Sequence, residues 1–403
     1  MKKRNVVVWA CFILAGVLLT GVSAAFAQGS PGVTEKEILI GSTYPLSGPL
    51  SAFGVIGKGQ EIYYKYINDR GGVHGRKVVF KYMDDAYQPP KTLQVTRQLV
   101  EQENVFMLVN GLGTPTQTAV QDYLNEKKVP QLFVNSGASK WGADPKKFPW
   151  SMGFAPNYQD EAAVYARYLM STKPNAKVGI LYQNDDYGMD YVEGFERALG
   201  DKKSMLVAKF PYEVASGDVN SQLQNLKRAG ADTLLWAASS KFVAQGLRSN
   251  SQLGWKPLNI VNVPAAQKAV LDQAGAEAAE GVISSAYIKD PSDPTWDNDA
   301  GMKFFRELMT KYYPEGDPKS LSVFQGATAA WITIKVLEQA GKDLTREKVM
   351  QAATNMNYSD CPFALPGIVI KTTPTDWRPF DQLRLMRYEG GKFVLFGDII
   401  SAR

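Results

Sequence analysis

The chain has 403 residues, enough for two domains and a sizeable core, with 45% apolar and 21% charged residues. Its formal charge of +5 falls to +2 once Lys2, Lys3 and Arg4 leave with an amino-terminal leader, which argues against nucleic acid or an anionic membrane as partner. Only Cys361 lies beyond that leader, so the mature chain can form no internal disulfide and its stability rests on its core.

The leader is the first element. Three basic residues precede an unbroken apolar run over 6–19, too short for a comfortable membrane span. Small residues follow, and Ala25-Phe26-Ala27 fits the small-x-small cleavage rule. Residues 1–27 are therefore expected to be a cleaved signal peptide that places the mature protein in the periplasm.

Residues 37–90 read as strand, glycine-rich loop, helix, Gly-Gly turn and strand. The apolar run over 38–40 ends at Gly41, and Leu46-Ser47-Gly48-Pro49 turns the chain. A helix is expected after the Gly54, Gly57 and Gly59 cluster, with Ile62, Tyr63, Tyr66 and Ile67 on one face. Arg70-Gly71-Gly72-Val73-His74-Gly75 closes it, and 78–82 is the next strand. Such a βαβ unit places its first turn and helix N-terminus at the carboxyl edge of a parallel sheet, where ligands usually sit.

The alternation continues. Strand-like runs fall at 105–110, 131–135, 178–183, 206–210, 233–238, 258–263 and 282–288. Helical patterns lie between them at 91–103, 116–127, 160–171, 191–199, 219–228 and 242–253. This predicts an α/β fold of two doubly wound lobes with parallel sheets. After Pro291 come two long helices over 300–313 and 324–340, a short one over 346–354, and a β-hairpin over 383–388 and 392–399 turned by Gly390-Gly391. Three crossovers, near 151–156, 286–290 and 362–367, would divide the chain into an N-terminal lobe of 37–153 plus 288–362 and a C-terminal lobe of 154–287 plus 363–403.

A capture site needs hydrogen-bond donors converging at loop ends and apolar walls that exclude water. The loop Asn110-Gly111-Leu112-Gly113-Thr114-Pro115 precedes a helix whose first turn contains Pro115, so N–H groups around Gly113 and Thr114 suit a carboxylate. An ordinary strand-to-helix turn would look the same. In Asn135-Ser136-Gly137-Ala138-Ser139-Lys140-Trp141, two hydroxyls and consecutive small residues let backbone donors approach a ligand. Asn184-Asp185-Asp186-Tyr187-Gly188 offers Asp185 for a cation and Tyr187 as a cover. Phe53 and Phe324 are wall or core residues. An enzyme fares badly: the only histidine, His74, sits in a turn, and no CxxC, HExxH or GxSxG occurs. No cofactor or metal is expected.

The order and spacing of Pro45-Leu46-Ser47-Gly48-Pro49, Gly71-Gly72-Val73-His74-Gly75-Arg76, Asp84-Asp85-Ala86, Thr116-Gln117 and Asp186-Tyr187-Gly188 carry a family resemblance. The sequence resembles the branched-chain amino-acid-binding family of ABC-transporter solute-binding proteins, with the type I periplasmic binding fold, over essentially the whole mature chain. The resemblance implies two lobes that close on a small solute and a closed form that docks on a membrane permease. It puts Ser136 and Ala138 where the family holds the solute's carboxylate and ammonium, and Tyr187 and Phe53 at two family aromatic positions.

The departures from the family matter as much. Where amino-acid binders carry a glutamate for the ligand's ammonium, this chain has Pro264, with no acid until Asp272, and Ser239 replaces a neighbouring tyrosine. A family cysteine pair is replaced by Tyr87 and Leu112. A buried ammonium without an acceptor is strongly disfavoured. The expected ligand is therefore a small carboxylate with an apolar body, an aromatic acid such as a benzoate or phenylpropanoid foremost. Short fatty acids, amino acids and a soluble sensor of the same fold are the alternatives. The protein is expected to act as a monomer.

Overall fold

The structure, a computed structural model, describes residues 30–401, so the expected leader and its cleavage site lie outside the described residues. Its first unit builds β1 (Glu37–Tyr44), α1 (Ile56–Asn68), β2 (Lys77–Asp84), α2 (Pro89–Arg97), β3 (Met107–Val109), α3 (Thr114–Glu126), β4 (Gln131–Val134) and β5 (Ser151–Gly153). These five strands form one parallel sheet in the order β2-β1-β3-β4-β5.

The chain then passes over 154–157 into α4 (Tyr158–Thr172), β6 (Val178–Gln183), α5 (Asp186–Leu199), β7 (Leu206–Tyr212), α6 (Asn220–Arg228), β8 (Thr233–Ala237), α7 (Ser240–Gln252), β9 (Leu258–Val261), α8 (Lys268–Ala274), α9 (Ala276–Ala279) and β10 (Ile283–Ala286). A second passage leads back to α10 (Ala300–Tyr312), α11 (Leu321–Ala340), α12 (Arg346–Ala353), β11 (Asn357–Tyr358) and β12 (Ile370–Lys371). The hairpin β13 (Gln382–Glu389) and β14 (Lys392–Ser401) finally joins the second sheet, whose order is β14-β13-β10-β9-β8-β6-β7. That sheet is parallel from β7 to β10 and antiparallel at β13 and β14, so it is mixed where the sequence reading expected a parallel one.

The central strands show why the sheets form. Every residue of β3, β4 and β8 is buried, as both faces of a parallel sheet covered by helices require. Five short elements, β5, α8, α9, β11 and β12, escaped the sequence reading because each is too brief to display a period.

One expectation reverses. Gly57 and Gly59 do not precede the first helix; they lie inside α1. A Cβ on Gly59 would fall on Val323 O of α11, and a Cβ on Gly326 would fall on Ile56 O of α1. The two helices cross backbone against backbone, and only glycine on both sides permits it. This contact holds the late helix α11, which starts at Leu321 and not at 324, against the first βαβ unit. Ser320 Oγ caps it by accepting from Val323 N at 3.3 Å.

The second and third passages run side by side. Leu365 N donates to Tyr287 O and Lys289 N to Phe363 O, both at 3.0 Å, and buried Lys289 Nζ binds Asp299 Oδ1 at 2.7 Å and Pro362 O at 2.9 Å. Beyond 362 the chain turns back once before it reaches the hairpin of the second sheet: β12 pairs with β11, Asn357 opposite Lys371 and Tyr358 opposite Ile370. Val substitutions at Gly59 or Gly326 should lower the unfolding free energy in urea by roughly 3 kcal/mol or more. Gly217→Ala, at a glycine with open space around its Cβ position, should stay within about 0.5 kcal/mol of the parent protein.

Candidate functional site

A cavity of about 110 Å³ lies between the two sheets, lined from both lobes and from the second passage. A single buried water needs roughly 10–15 Å³ on the same measure, so the space suits a small solute. Its floor in the first lobe is the loop from β3 into α3. Asn110 there has φ 57° and Gly113 φ 102°, turning the chain so that the first turn of α3 faces the cavity. A Cβ on Gly113 would strike the ring of Tyr87, which also lines the space. The loop is fixed by Asn110 Nδ2 donating to Phe133 O at 2.9 Å and Gly113 N to Asn135 O at 3.2 Å. The N–H groups of the first turn of α3 have no acceptor within their helix, and the helix dipole adds to their pull on an anion.

Asp84, at the end of β2, shapes the neighbouring rim. Its carboxylate accepts from Leu46 N at 2.8 Å, Ser47 N at 3.1 Å, Ser47 Oγ at 2.6 Å, Ala86 N at 2.9 Å and Lys91 Nζ at 2.7 Å. Burial would raise its pKa, but the bonds from Lys91, Ser47, Ala86 and Leu46 outweigh that and hold it well below the usual carboxylate range. The turn it anchors leads directly to Leu50 and Phe53, two apolar walls of the cavity.

The second lobe contributes an aromatic and amide face. Tyr187 stands in the first turn of α5, whose cap Asp185 accepts from Tyr187 N at 3.0 Å and Gly188 N at 3.3 Å. Tyr158 meets Tyr187 edge-on at 5.1 Å and stacks on Tyr191 at 4.9 Å. The Tyr187 hydroxyl bonds the buried Asn262 amide, and burial raises its pKa far above its ordinary value. Ser239 N donates to Tyr212 OH at 2.9 Å, ordering the turn after β8. Behind the loop that follows β9, buried Glu161 accepts from Val263 N at 2.9 Å, Tyr165 OH at 2.8 Å and Tyr191 OH at 2.7 Å. Burial, only partly offset by those bonds, pushes its pKa up to about 7.

Of the residues singled out in the sequence, Phe53, Gly113, Thr114, Tyr187, Ser239 and Pro264 line this cavity. Five others do not. Ser136 Oγ is consumed by Thr114 Oγ1 at 2.7 Å, Trp141 Nε1 at 2.9 Å and Ala138 N at 3.1 Å, and Ala138 is packed into the core beside it. Ser139 turns across to α5, its N and Oγ each 2.7 Å from the Asp190 carboxylate. Asp185 spends its oxygens on the α5 cap and on Gln183 Nε2. Phe324 is fully buried against Phe305 and Phe363, with ring centroids 4.9 and 5.1 Å away.

Other lining residues had not been singled out: Asn135, Tyr158, Gln183, Gln267, Tyr287, Asp290 and Gln325. Asn135 and Gln183 carried a readable signal, a polar residue at the carboxyl end of an apolar strand. Tyr87 and Leu112, which stand where the family resemblance placed cysteines, both line the cavity.

Among the described residues no lysine or arginine lines the cavity, and Asp290 is the one charged residue of its lining. Its Oδ1 accepts from Ser292 N at 2.8 Å and Ser292 Oγ at 2.7 Å, and burial raises its pKa. The sequence reading found no acid after Pro264 until Asp272, which in fact faces Lys268 and Tyr388. The acid comes instead from the second passage. Among the described residues no group of three or more His, Cys, Asp or Glu could hold a metal, and no helix is long and apolar enough to cross a membrane.

Two α/β lobes joined by three passages, with neutral donors and aromatic walls converging on the space between them, define a solute-binding protein of the type I periplasmic architecture, a binding protein and not an enzyme. The chain belongs to the periplasmic binding protein family, whose profile matches residues 37–392. The Leu/Ile/Val-binding protein homolog 7 of Brucella abortus is 24% identical over 388 residues, 93% of this chain and 95% of the relative. Homolog 3 of Brucella melitensis is 29% identical over 220 residues, 54% of this chain and 58% of the relative. Among solved structures, a branched-chain amino-acid ABC transporter protein from Thermus thermophilus with bound valine superposes with a TM-score of 0.81 at 23% identity, covering 92% of this chain and 97% of its own. A fatty acid ABC transporter substrate-binding protein from Thermomonospora curvata gives 0.79 at 23% identity, with 93% and 95% covered.

Asp84→Ala should release the Leu46–Ser47 turn and cost about 1–2 kcal/mol at pH 7. Because the folded carboxyl titrates below its ordinary 3.8, that stabilisation is present at neutral pH and fades on acidification. Urea melts of both proteins should therefore converge as pH falls below about 4.

Proposed function

We propose that this protein is an extracytoplasmic solute-binding component of an ABC importer, exported through a signal peptide over 1–27, which captures a small carboxylate with an apolar body and delivers it to a membrane permease as a monomer. An aromatic acid is the favoured cargo. The observation that carries this reading is the cavity itself: the first turn of α3 at Gly113 and Thr114 meets walls of Leu50, Phe53, Tyr87 and Pro264, without a lysine or arginine. A carboxylate there is held by neutral N–H donors and a helix dipole, while its body displaces water from apolar and aromatic surface. The open form offers the α3 turn first, and Tyr187, Ser239 and Pro264 then close over the solute by hinge motion.

A second reading rests on Asp290. Its carboxylate lines the cavity and is an acceptor for an ammonium group, which favours an amino acid such as the valine named for the Thermus thermophilus neighbour. The fatty acid named for the Thermomonospora curvata protein would rest on the same apolar walls. A thermal-shift panel of benzoate, 3-phenylpropanoate, hexanoate and leucine separates them. A bound ligand at a hundred times its dissociation constant adds about 2.7 kcal/mol of stability. The aromatic acids should give the largest shift. A shift with leucine alone would overturn the carboxylate reading in favour of Asp290 as ammonium acceptor, and Pro264→Glu should weaken any aromatic acid that binds.

A further inference from the structure

Tyr87 enters the cavity from a turn that ordinary backbone avoids. Ala86 has φ 50° and Tyr87 φ 58°, two consecutive left-handed residues, neither of them glycine or asparagine. Two carboxylates hold them there. Asp84 Oδ1 accepts from Ala86 N at 2.9 Å, and buried Asp85 Oδ1 accepts from Tyr87 N at 2.9 Å. Asp85 is fixed in turn by Thr92 Oγ1 at 3.2 Å and by its own N–H on Tyr44 O at 3.0 Å. Strain of this kind persists only where the surroundings over-determine it, and here it aims one side chain.

The ring goes to the part of the cavity onto which α3 opens. It lies so close to Gly113 that a Cβ there would strike its Cε2 and Cζ atoms. With Phe53 it packs on the small cluster of Tyr44, Ile56 and Leu112, and its hydroxyl points toward the Gln183 side chain of the second lobe. The ring is therefore wedged between the α3 turn and a core cluster, on a backbone that cannot shift without losing its bonds to Asp84 and Asp85.

We propose that Tyr87 is a specificity-determining residue: its ring fills the room beside the bound carboxylate, so the cavity accepts acids unbranched at the carbon next to the carboxyl group and rejects those with a substituent there. This rests on the α3 turn being the seat of the carboxylate. A carboxylate at Thr114 N leaves its neighbouring carbon beside the wall that Gly113 and Tyr87 form. An unbranched acid presents only hydrogens to that wall. A branched one must press on a ring that has nowhere to go, and overpacking a fixed wall costs affinity.

Isothermal titration with two matched pairs tests this: 3-phenylpropanoate against 2-methyl-3-phenylpropanoate, and hexanoate against 2-methylhexanoate, with leucine alongside. The parent protein should bind the methylated member of a pair about tenfold more weakly or worse. Tyr87→Ala should bring the two members within about threefold of each other, because the room beside the carboxylate is then open. Tyr87→Phe keeps the ring and should keep the gap, which separates the ring's bulk from the hydroxyl's approach to Gln183. If the alanine variant fails to fold, Tyr87→Asn takes its place, since asparagine tolerates a left-handed φ. A parent protein that binds both members of a pair equally overturns the proposal and leaves the carboxylate reading standing. So does an alanine variant that weakens both members alike with the gap intact, since Tyr87 would then only support the cavity. Binding of the hexanoate pair alone overturns the preference for aromatic acids, and the gap within that pair still decides Tyr87. Binding of leucine alone, or of no probe at all, overturns the carboxylate reading and this proposal with it.

Discussion

The close crossing of α1 over α11 is the constraint on which the architecture depends. Gly59 and Gly326 let the two backbones touch, and each glycine occupies the space where the other helix's carbonyl would meet a side chain. Without that contact the segment after the second passage would lose its closest seat on the first unit, leaving side-chain ties such as Arg346 to Phe106 O and Val105 O. The first lobe would lack Leu321 and Gln325, which close the cavity from the side of α11. The lobe is thus assembled from two stretches of chain separated by an entire second lobe, and a contact without a Cβ joins them.

From that assembly the cleft follows. Parallel sheets present helix starts and strand ends on one edge, and the two lobes turn those edges toward each other. The first lobe contributes the start of α3, and the second contributes tyrosines and amides such as Tyr187 and Asn262, which bond each other. Such a cavity is largely apolar and weakly charged, and in the proposed function it would recognise a solute through donors fixed by backbone geometry in place of an ion pair. The buried acids around it, Glu161, Asp185 and Asp190, are held by hydrogen bonds to hydroxyls, amides and backbone N–H groups, and burial raises the pKa of each. They organise the wall more than they attract a charge.

Legibility differed sharply between strands, loops and contacts. The alternation of apolar runs and helical periods was plain, because burial of both faces of a parallel sheet imposes it locally. Short pieces such as β5 and β12 left no such trace. In the site, Gly113, Thr114, Tyr187, Ser239 and Pro264 could be placed because each lies within five residues of the carboxyl end of a strand. Ser136 and Ser139 satisfied the same rule and were still drawn elsewhere, one to Trp141 and Thr114, the other to Asp190. Thr114 and Asp190 are distant in sequence and sit on other helices, so no local pattern could reveal that competition.

The sequence by itself determined the class: leader-like amino terminus, alternating α/β grammar, a terminal hairpin, and donor-rich turns at carboxyl ends of strands. Those are periodic or short-range properties, written in adjacent residues. Only the tertiary structure decided that Gly57 and Gly59 belong inside a helix, that Phe324 is core, that β12 turns back to pair with β11, and that Asp290 reaches the cavity. Each of those outcomes depends on which distant backbone or side chain arrives within a few ångströms, and that proximity is set by packing the whole chain.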